Sequence, residues 1–208
     1  MQQYYVDKIE EQLKKKLPGK ASQNKMASSI RIQHEIEMLK IKVPKHSSIL
    51  LLLYPNDNNL FTVLIQRNAY EGVHSNQVSF PGGQKEKNDT NYLTTALREA
   101  EEEIGIDTSK IKILGELTDL YVPPSNFIIH PFVGYCEKTP IFTPQKNEVK
   151  EILKVPIADL QNRKNIKNKI MEWEIGGFYE TKYYDICNKV VWGATAMIIS
   201  EFMDVIKK

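Results

Sequence analysis

Residues 81–106 read PGGQKEKNDTNYLTTALREAEEEIGI, and the fold is decided by how this stretch is read. Pro81-Gly82-Gly83 breaks regular structure, and the polar run Gln84 to Asn91 follows as a loop. Tyr92 to Ile104 then carries Leu93, Leu97, Ala100 and Ile104 at helical spacing on one face. Gly105 stands where a helix commonly ends in a left-handed residue. On the polar side, Glu99, Glu102 and Glu103 fall at i, i+3 and i+4, which brings three carboxylates together. Left alone they repel one another. A hard divalent cation such as Mg²⁺ or Mn²⁺ takes oxygen ligands, shares them with phosphate groups and removes that repulsion. Taken by themselves, Glu101 to Glu103 also suit a solvated acidic face, so the reading turns on what surrounds them.

Working outward, Ser48 to Tyr54 and Leu60 to Gln66 are apolar runs separated by the turn-forming Pro55 to Asn59, which predicts a hairpin of buried strands. Val78-Ser79-Phe80 leads into the glycine pair after a polar loop, Glu71 to Gln77. Downstream, Ile111 to Tyr121 and Phe127 to Tyr135 read as strands, Pro156 to Gln161 as a short helix, Lys169 to Tyr184 as strands and Ala194 to Ile206 as a closing helix. Upstream, Tyr5, Ile9 and Leu13 are spaced by four within an amphipathic helix, Tyr4 to Leu17, stopped by Pro18-Gly19. We therefore expect residues 1–45 to form a helix and covering segment packed on the same domain, and residues 46–208 to form that domain. Interleaved strands and helices over this length predict an α/β fold with a central mixed sheet between helices.

The 208 residues, 41% apolar and 26% charged, suit one well-buried core. With 28 basic and 26 acidic residues the formal net charge is +2, and no basic stripe with interleaved aromatics occurs, so neither nucleic acid nor a membrane surface is an expected partner. Two cysteines, Cys136 and Cys187, are too few for a disulfide framework and lack metal-ligand spacing, so they read as inert buried thiols. The N-terminus lacks an apolar signal core, and no apolar run reaches the length of a membrane span. A cytoplasmic protein is the expectation.

The order Gly82-Gly83, an acidic loop residue, Arg98-Glu99, Glu102-Glu103 and Gly105 resembles the Nudix box, a loop and helix that bind metals while water attacks a nucleoside diphosphate linked to another group. Arg98 to Ile106 matches the helical half throughout. The loop half departs from it: Asp89 stands where glutamate is common, and one additional residue separates it from Arg98, which weakens any role for Asp89. A similar longer loop occurs in the coenzyme A branch of the family. Leu64-Ile65-Gln66-Arg67 with His74 to Gly83 resembles the signature that precedes the box in coenzyme A diphosphatases, with Asn76 at a position where glycine is common; asparagine also tolerates positive φ. Leu17-Pro18-Gly19 with Met26, Val122 to Phe127 with Pro131 to Gly134, and Trp192 to Ala196 extend the resemblance over most of the chain.

That resemblance implies a Nudix-type α/β/α sandwich with an additional N-terminal helix, and Glu99, Glu102 and Glu103 as ligands of Mg²⁺ or Mn²⁺. It implies Arg98 as the residue that orients a carboxylate through a charge-assisted contact. The implied reaction is hydrolysis of the diphosphate of coenzyme A or its thioesters, giving adenosine 3',5'-bisphosphate and a phosphopantetheine. For the substrate we single out Gly82 and Gly83 in the loop, Arg67 as a phosphate-holding guanidinium or an exposed strand end, Lys85 as a second cation or a solvated one, and His74 as a ligand contact or a loop support. The general base stays open between Glu99 in the box and Glu148 or Glu151 in a later acidic stretch. Two rivals share part of this pattern: a Nudix hydrolase of ADP-ribose or a dinucleotide, and a non-catalytic module that binds a nucleotide for regulation. The stretch before the box argues against the first, and the complete carboxylate set against the second. We carry a homodimer through the N-terminal segment as an expectation.

Overall fold

The apolar run that opens the main domain alternates its side chains between two cores. In the computed structural model, which describes residues 2–29, 31, 43–69, 76–172 and 178–207, the strands in chain order are β1 (Lys45–Asn56), β2 (Asn59–Arg67), β3 (Val78–Ser79), β4 (Gly82–Gln84), β5 (Ile111–Glu116), β6 (Leu120–Val122), β7 (Phe127–Cys136), β8 (Val149–Pro156), β9 (Ile166–Glu172), β10 (Phe178–Ile186) and β11 (Lys189–Trp192). The helices are α1 (Gln2–Leu13), α2 (Lys20–Gln23), α3 (Tyr92–Ile104), α4 (Ile157–Gln161) and α5 (Gly193–Ile206). Leu50, Leu52 and Tyr54 of β1 pack with Ala96, Ala100 and Ile104 of α3. Ile49, Leu51 and Leu53 pack instead with Met197 and Phe202 of α5 and with Val6 and Ile9 of α1. A strand apolar on both faces needs a cover on both, which is why the sheet lies between helices.

β1 and β2 form the hairpin, closed by Asp57-Asn58 at φ 46° and 63°. Two positive φ values give the turn a twist that matches the flanking strands. β1 pairs in parallel with β7, whereas β2, β4, β5, β6 and β8 join antiparallel, so the sheet is mixed. One feature of register shapes the site. On its β2 edge, β1 pairs with β2 through Leu53–Asn56 but with β4 through Ser47–Ile49, so β2 and β4 part from each other along that edge. β9, β10 and β11 make a separate three-stranded antiparallel sheet. No helix among the described residues is long and apolar enough to cross a membrane.

The N-terminal helix is present but ends at Leu13, four residues before the predicted Leu17. The run Lys14–Lys16 has no apolar contact to gain, and the residue before Pro18 is biased away from helical angles. The segment after it packs on α5: the Ser22 carbonyl accepts from Ser200 Oγ (2.8 Å) and Gln23 Nε2 donates to Glu201 (2.9 Å). The predicted strand Ile111 to Tyr121 is two strands, β5 and β6, with a register shift between Ile113 and Gly115. β8 was hidden in the sequence because only Val149, Leu153 and Val155 are buried while the charged Lys150, Glu151 and Lys154 interrupt them. Cys136 is buried as expected, but Cys187 is exposed, in the turn between β10 and β11.

Candidate active site

α3 spans the residues that its periodicity predicts, and both of its ends are specified locally. Asn91 caps its start by accepting from the Thr94 N–H at 2.8 Å, and Gly105 ends it at φ 67° with its N–H on the Glu101 carbonyl. The helix is held against β4 by two glycines with different jobs. A Cβ on Gly83 would lie 2.4 Å from the carboxylate of Glu99, so the missing side chain is the space that Glu99 occupies. A Cβ on Gly82 would lie 2.3 Å from the Ser48 carbonyl oxygen, within the β1–β4 pairing itself.

Glu103, 1% exposed, bridges the point where β2 and β4 part. Its Oε1 accepts from Arg67 Nη1 at the end of β2 (3.1 Å), and its Oε2 accepts from the Gly82 N–H in β4 (2.8 Å). Burial pushes the Glu103 carboxyl up to about 7; Arg67 and the Gly82 amide oppose that rise, and Glu99 and Glu148 reinforce it. Burial also raises the Glu99 carboxyl, against the pull of Arg98 and with the push of Glu102 and Glu148. Glu99, Glu103 and Glu148 therefore sit within one another's fields.

Arg98 is the hub of the loop. Its Nε and Nη2 form a two-pronged contact with Asp89 at 3.1 and 3.0 Å, and Nη2 also donates to the Gln84 carbonyl at 3.2 Å. Its Nη1 lies 3.0 Å from Glu99 and 3.1 Å from Glu102. Asp89 is buried and accepts in addition from the Glu86 N–H (2.8 Å) and Thr95 Oγ1 (3.0 Å). The Arg98 guanidinium holds the Asp89 carboxyl well below the usual carboxylate range. Reading the sequence alone missed this: the weakened role expected for Asp89 is overturned, because the longer loop folds back far enough to place it under Arg98. The one signal in the sequence was an acid between a loop glycine and an arginine.

The remaining candidates divide. Lys85 turns its ammonium to the Asp89 carbonyl at 2.6 Å and so serves the loop's own backbone. Glu148, on the loop before β8, joins Arg67, Asn68, Ala69 and Asn147 in lining a small cavity. Glu151 lies on β8 and pairs with Lys189 at 2.8 Å, away from the box. Asn76 has φ 57°, the left-handed conformation its residue type tolerates, and accepts from Gln66 Nε2 at 2.8 Å. His74 lies outside the described residues.

Among the described residues no three His, Cys, Asp or Glu side chains converge into a finished cation cage. Glu102, 57% exposed, is drawn to Arg98 instead. The donor chemistry nevertheless fits a hard divalent cation: carboxylate oxygens alone, with the Glu99 and Glu103 carboxyls raised chiefly by burial and each held beside a guanidinium.

The NUDIX domain profile matches residues 44–173, which enclose the box, both strands of the hairpin and the Glu148 loop. The chain belongs to the Nudix hydrolase family. It is 30% identical over 190 residues to Nudix hydrolase 22, chloroplastic, of Arabidopsis thaliana, a match covering 88% of this chain and 62% of that protein, so the chain spans less than two thirds of the plant relative. It is 28% identical over 190 residues to the uncharacterised Nudix hydrolase NudL of Pectobacterium atrosepticum, covering 86% and 88% of the two chains. A crystal structure of a MutT/nudix family protein from Enterococcus faecalis shares the fold, with a TM-score of 0.52 at 18% identity over 93% of this chain and 76% of that one. The mixed sheet, flanking helices and N-terminal helix expected for a Nudix fold are thus the observed architecture. Nudix hydrolases generally need divalent metal ions.

Proposed function

We propose that this Nudix chain hydrolyses the diphosphate bond of coenzyme A or its thioesters, releasing adenosine 3',5'-bisphosphate and a 4'-phosphopantetheine. One observation carries the reading. The stretch from Gln77 to Gly83, which resembles the coenzyme A signature, is part of the site: the Gln77 carbonyl accepts from the Arg67 N–H at 3.0 Å, and the Gly82 N–H donates to Glu103 at 2.8 Å. Residues that resemble a substrate signature thus hold the same carboxylate that the box supplies.

Glu99, Glu102 and Glu103 would hold Mg²⁺ or Mn²⁺, which when bound supplies charge neutralisation of the diphosphate and acidifies a bound water. Arg67, anchored on Glu103 and open on its other side to the cavity with Glu148, orients a phosphate by a two-pronged contact. Arg98 keeps Glu99 and Glu102 on the loop side while Asp89 keeps Arg98 in place. Glu148, exposed on the loop before β8 and near enough to Glu99 and Glu103 to help raise their carboxyls, takes the proton of the attacking water. Water adds to one phosphorus, the bridging P–O bond breaks, and the other phosphate leaves with the bridging oxygen.

The test is turnover of coenzyme A, its acetyl thioester, ADP-ribose and dinucleotides with Mg²⁺ or Mn²⁺, with products identified by mass spectrometry. Release of phosphopantetheine from the first two, lowered by roughly two orders of magnitude or more in Glu103→Gln, is expected. Preference for ADP-ribose keeps the hydrolase and overturns the substrate.

A further inference from the structure

The segment that carries Glu148 has no secondary structure of its own, yet it is tied at both ends. One tie runs to the C-terminus of α3, where carbonyls lack partners within the helix. The Thr143 N–H donates to the Ile104 carbonyl at 2.8 Å and the Gln145 N–H to the Glu103 carbonyl at 3.0 Å. The Gln145 carbonyl then accepts from Glu148 and Val149 at 3.0 and 2.8 Å. The second tie runs to the residue after Arg67, at the end of β2. Asn68 donates from its backbone N–H to the Glu148 carbonyl at 2.9 Å and from its side-chain Nδ2 to the Lys146 carbonyl at 2.8 Å.

We propose that Asn68 is a positioning residue for the hydrolytic reaction, clamping the Lys146–Glu148 backbone so that the Glu148 carboxylate is kept beside Arg67 in the cavity that the two residues line. The inference rests on the hydrolase reading above and deepens it. A half-buried asparagine at a strand end is ordinarily satisfied by water. Here its backbone and side-chain donors reach two carbonyls of one short loop, on either side of Asn147, and it lines the cavity beside Arg67 and Glu148. The geometry gives a division of labour: α3 and β2 hold the two sides of the loop through main-chain contacts that any sequence could make, whereas the Asn68 side-chain amide adds the one sequence-specific bond, to the Lys146 carbonyl. Loss of one such bond leaves the fold intact and lets the loop sample positions that retract Glu148. A misplaced base lowers turnover without weakening substrate binding, because Arg67 and the box remain in place.

Asn68→Asp keeps the size and the backbone donor but removes the side-chain donor, and neutral Asn68→Ala separates that loss from the added charge. Two readouts are taken on the full chain. Amide hydrogen exchange across residues 145–149 should quicken by roughly tenfold in both variants, with α3 unchanged. With Mn²⁺ and coenzyme A, kcat should fall by roughly tenfold with KM within about twofold. In a Glu148→Gln background the same substitutions should add no further loss, since Asn68 acts through Glu148. Unchanged exchange in the loop overturns the proposal, as does a kcat loss of equal size in the Glu148→Gln background. If the unaltered chain turns over none of the panel, the hydrolase reading fails while the exchange result still decides whether Asn68 clamps the loop.

Discussion

Substituting the two neighbouring glycines of β4 separates the two demands that the box makes on its loop. In Gly83→Ala the backbone keeps an ordinary φ, and the new methyl meets the carbon and both oxygens of the Glu99 carboxylate at 2.4–2.5 Å. Contact becomes ordinary from 3.4 Å, so the end of a flexible side chain must retreat by about 1 Å. The fold should tolerate this within about 1 kcal/mol. A 1 Å displacement of a group at the reacting centre should lower turnover by on the order of a hundredfold. In Gly82→Ala the methyl meets the Ser48 carbonyl at 2.3 Å and the Ile49 Cα at 2.7 Å, at a φ of 155° that side chains rarely adopt. Neither obstacle can rotate away, so about 3 kcal/mol of stability should be lost. At about 2–4 °C per kcal/mol for a chain of this size, the melting temperature should fall by roughly 6–12 °C. Calorimetry and Mn²⁺-dependent turnover on both variants read the two effects apart. A Gly83→Ala protein with full turnover, or one that melts as early as Gly82→Ala, would refute the assignment of that space to Glu99.

The raised Glu103 carboxyl makes a pH prediction. Its folded value of about 7 lies above the ordinary 4.5, so between those values the folded chain binds its proton more tightly than the unfolded chain. Stability should therefore fall as pH rises from 4.5 to 7, by up to about 3 kcal/mol, with no further loss above it. Urea unfolding of chelator-treated protein at pH 5 and pH 8 should show that difference, and Glu103→Gln should abolish it; an unaltered slope in the variant would place the titration elsewhere. For the loop, Asp89→Asn removes the charge that holds Arg98, and about 2 kcal/mol of stability should go with it. Arg98, released from Asp89, should then compete for Glu99 and Glu102, so Mn²⁺ affinity measured by calorimetry should drop several-fold; unchanged affinity would mean that Asp89 does not govern Arg98.

What the sequence determined alone is what local geometry dictates. The bounds of α3, its capping glycine, the placing of Glu99, Glu102 and Glu103 on one side and the β1–β2 hairpin all follow from dihedral preferences and periodicity within about a dozen residues. The box at the centre of the family resemblance was legible for the same reason, since it rests on spacing within that segment. Partners distant in sequence were not legible. That Arg67 meets Glu103 depends on where β2 leaves the edge of β1, and that Gly82 donates to the same carboxylate depends on β4 taking its place there. The pairing of Asp89 with Arg98 required a loop path that spacing alone could not supply, and it reversed the reading of Asp89. Lys85 reads in the sequence as a second cation or a solvated one, and only the loop's path puts its ammonium on the Asp89 carbonyl. β8 was invisible because exposed Lys150, Glu151 and Lys154 break up its apolar residues, and only its ladder with β2 shows it to be a strand. Helical spacing is set by bonds four residues apart, whereas the site is closed by contacts whose register belongs to the sheet, and only the folded chain decides that register.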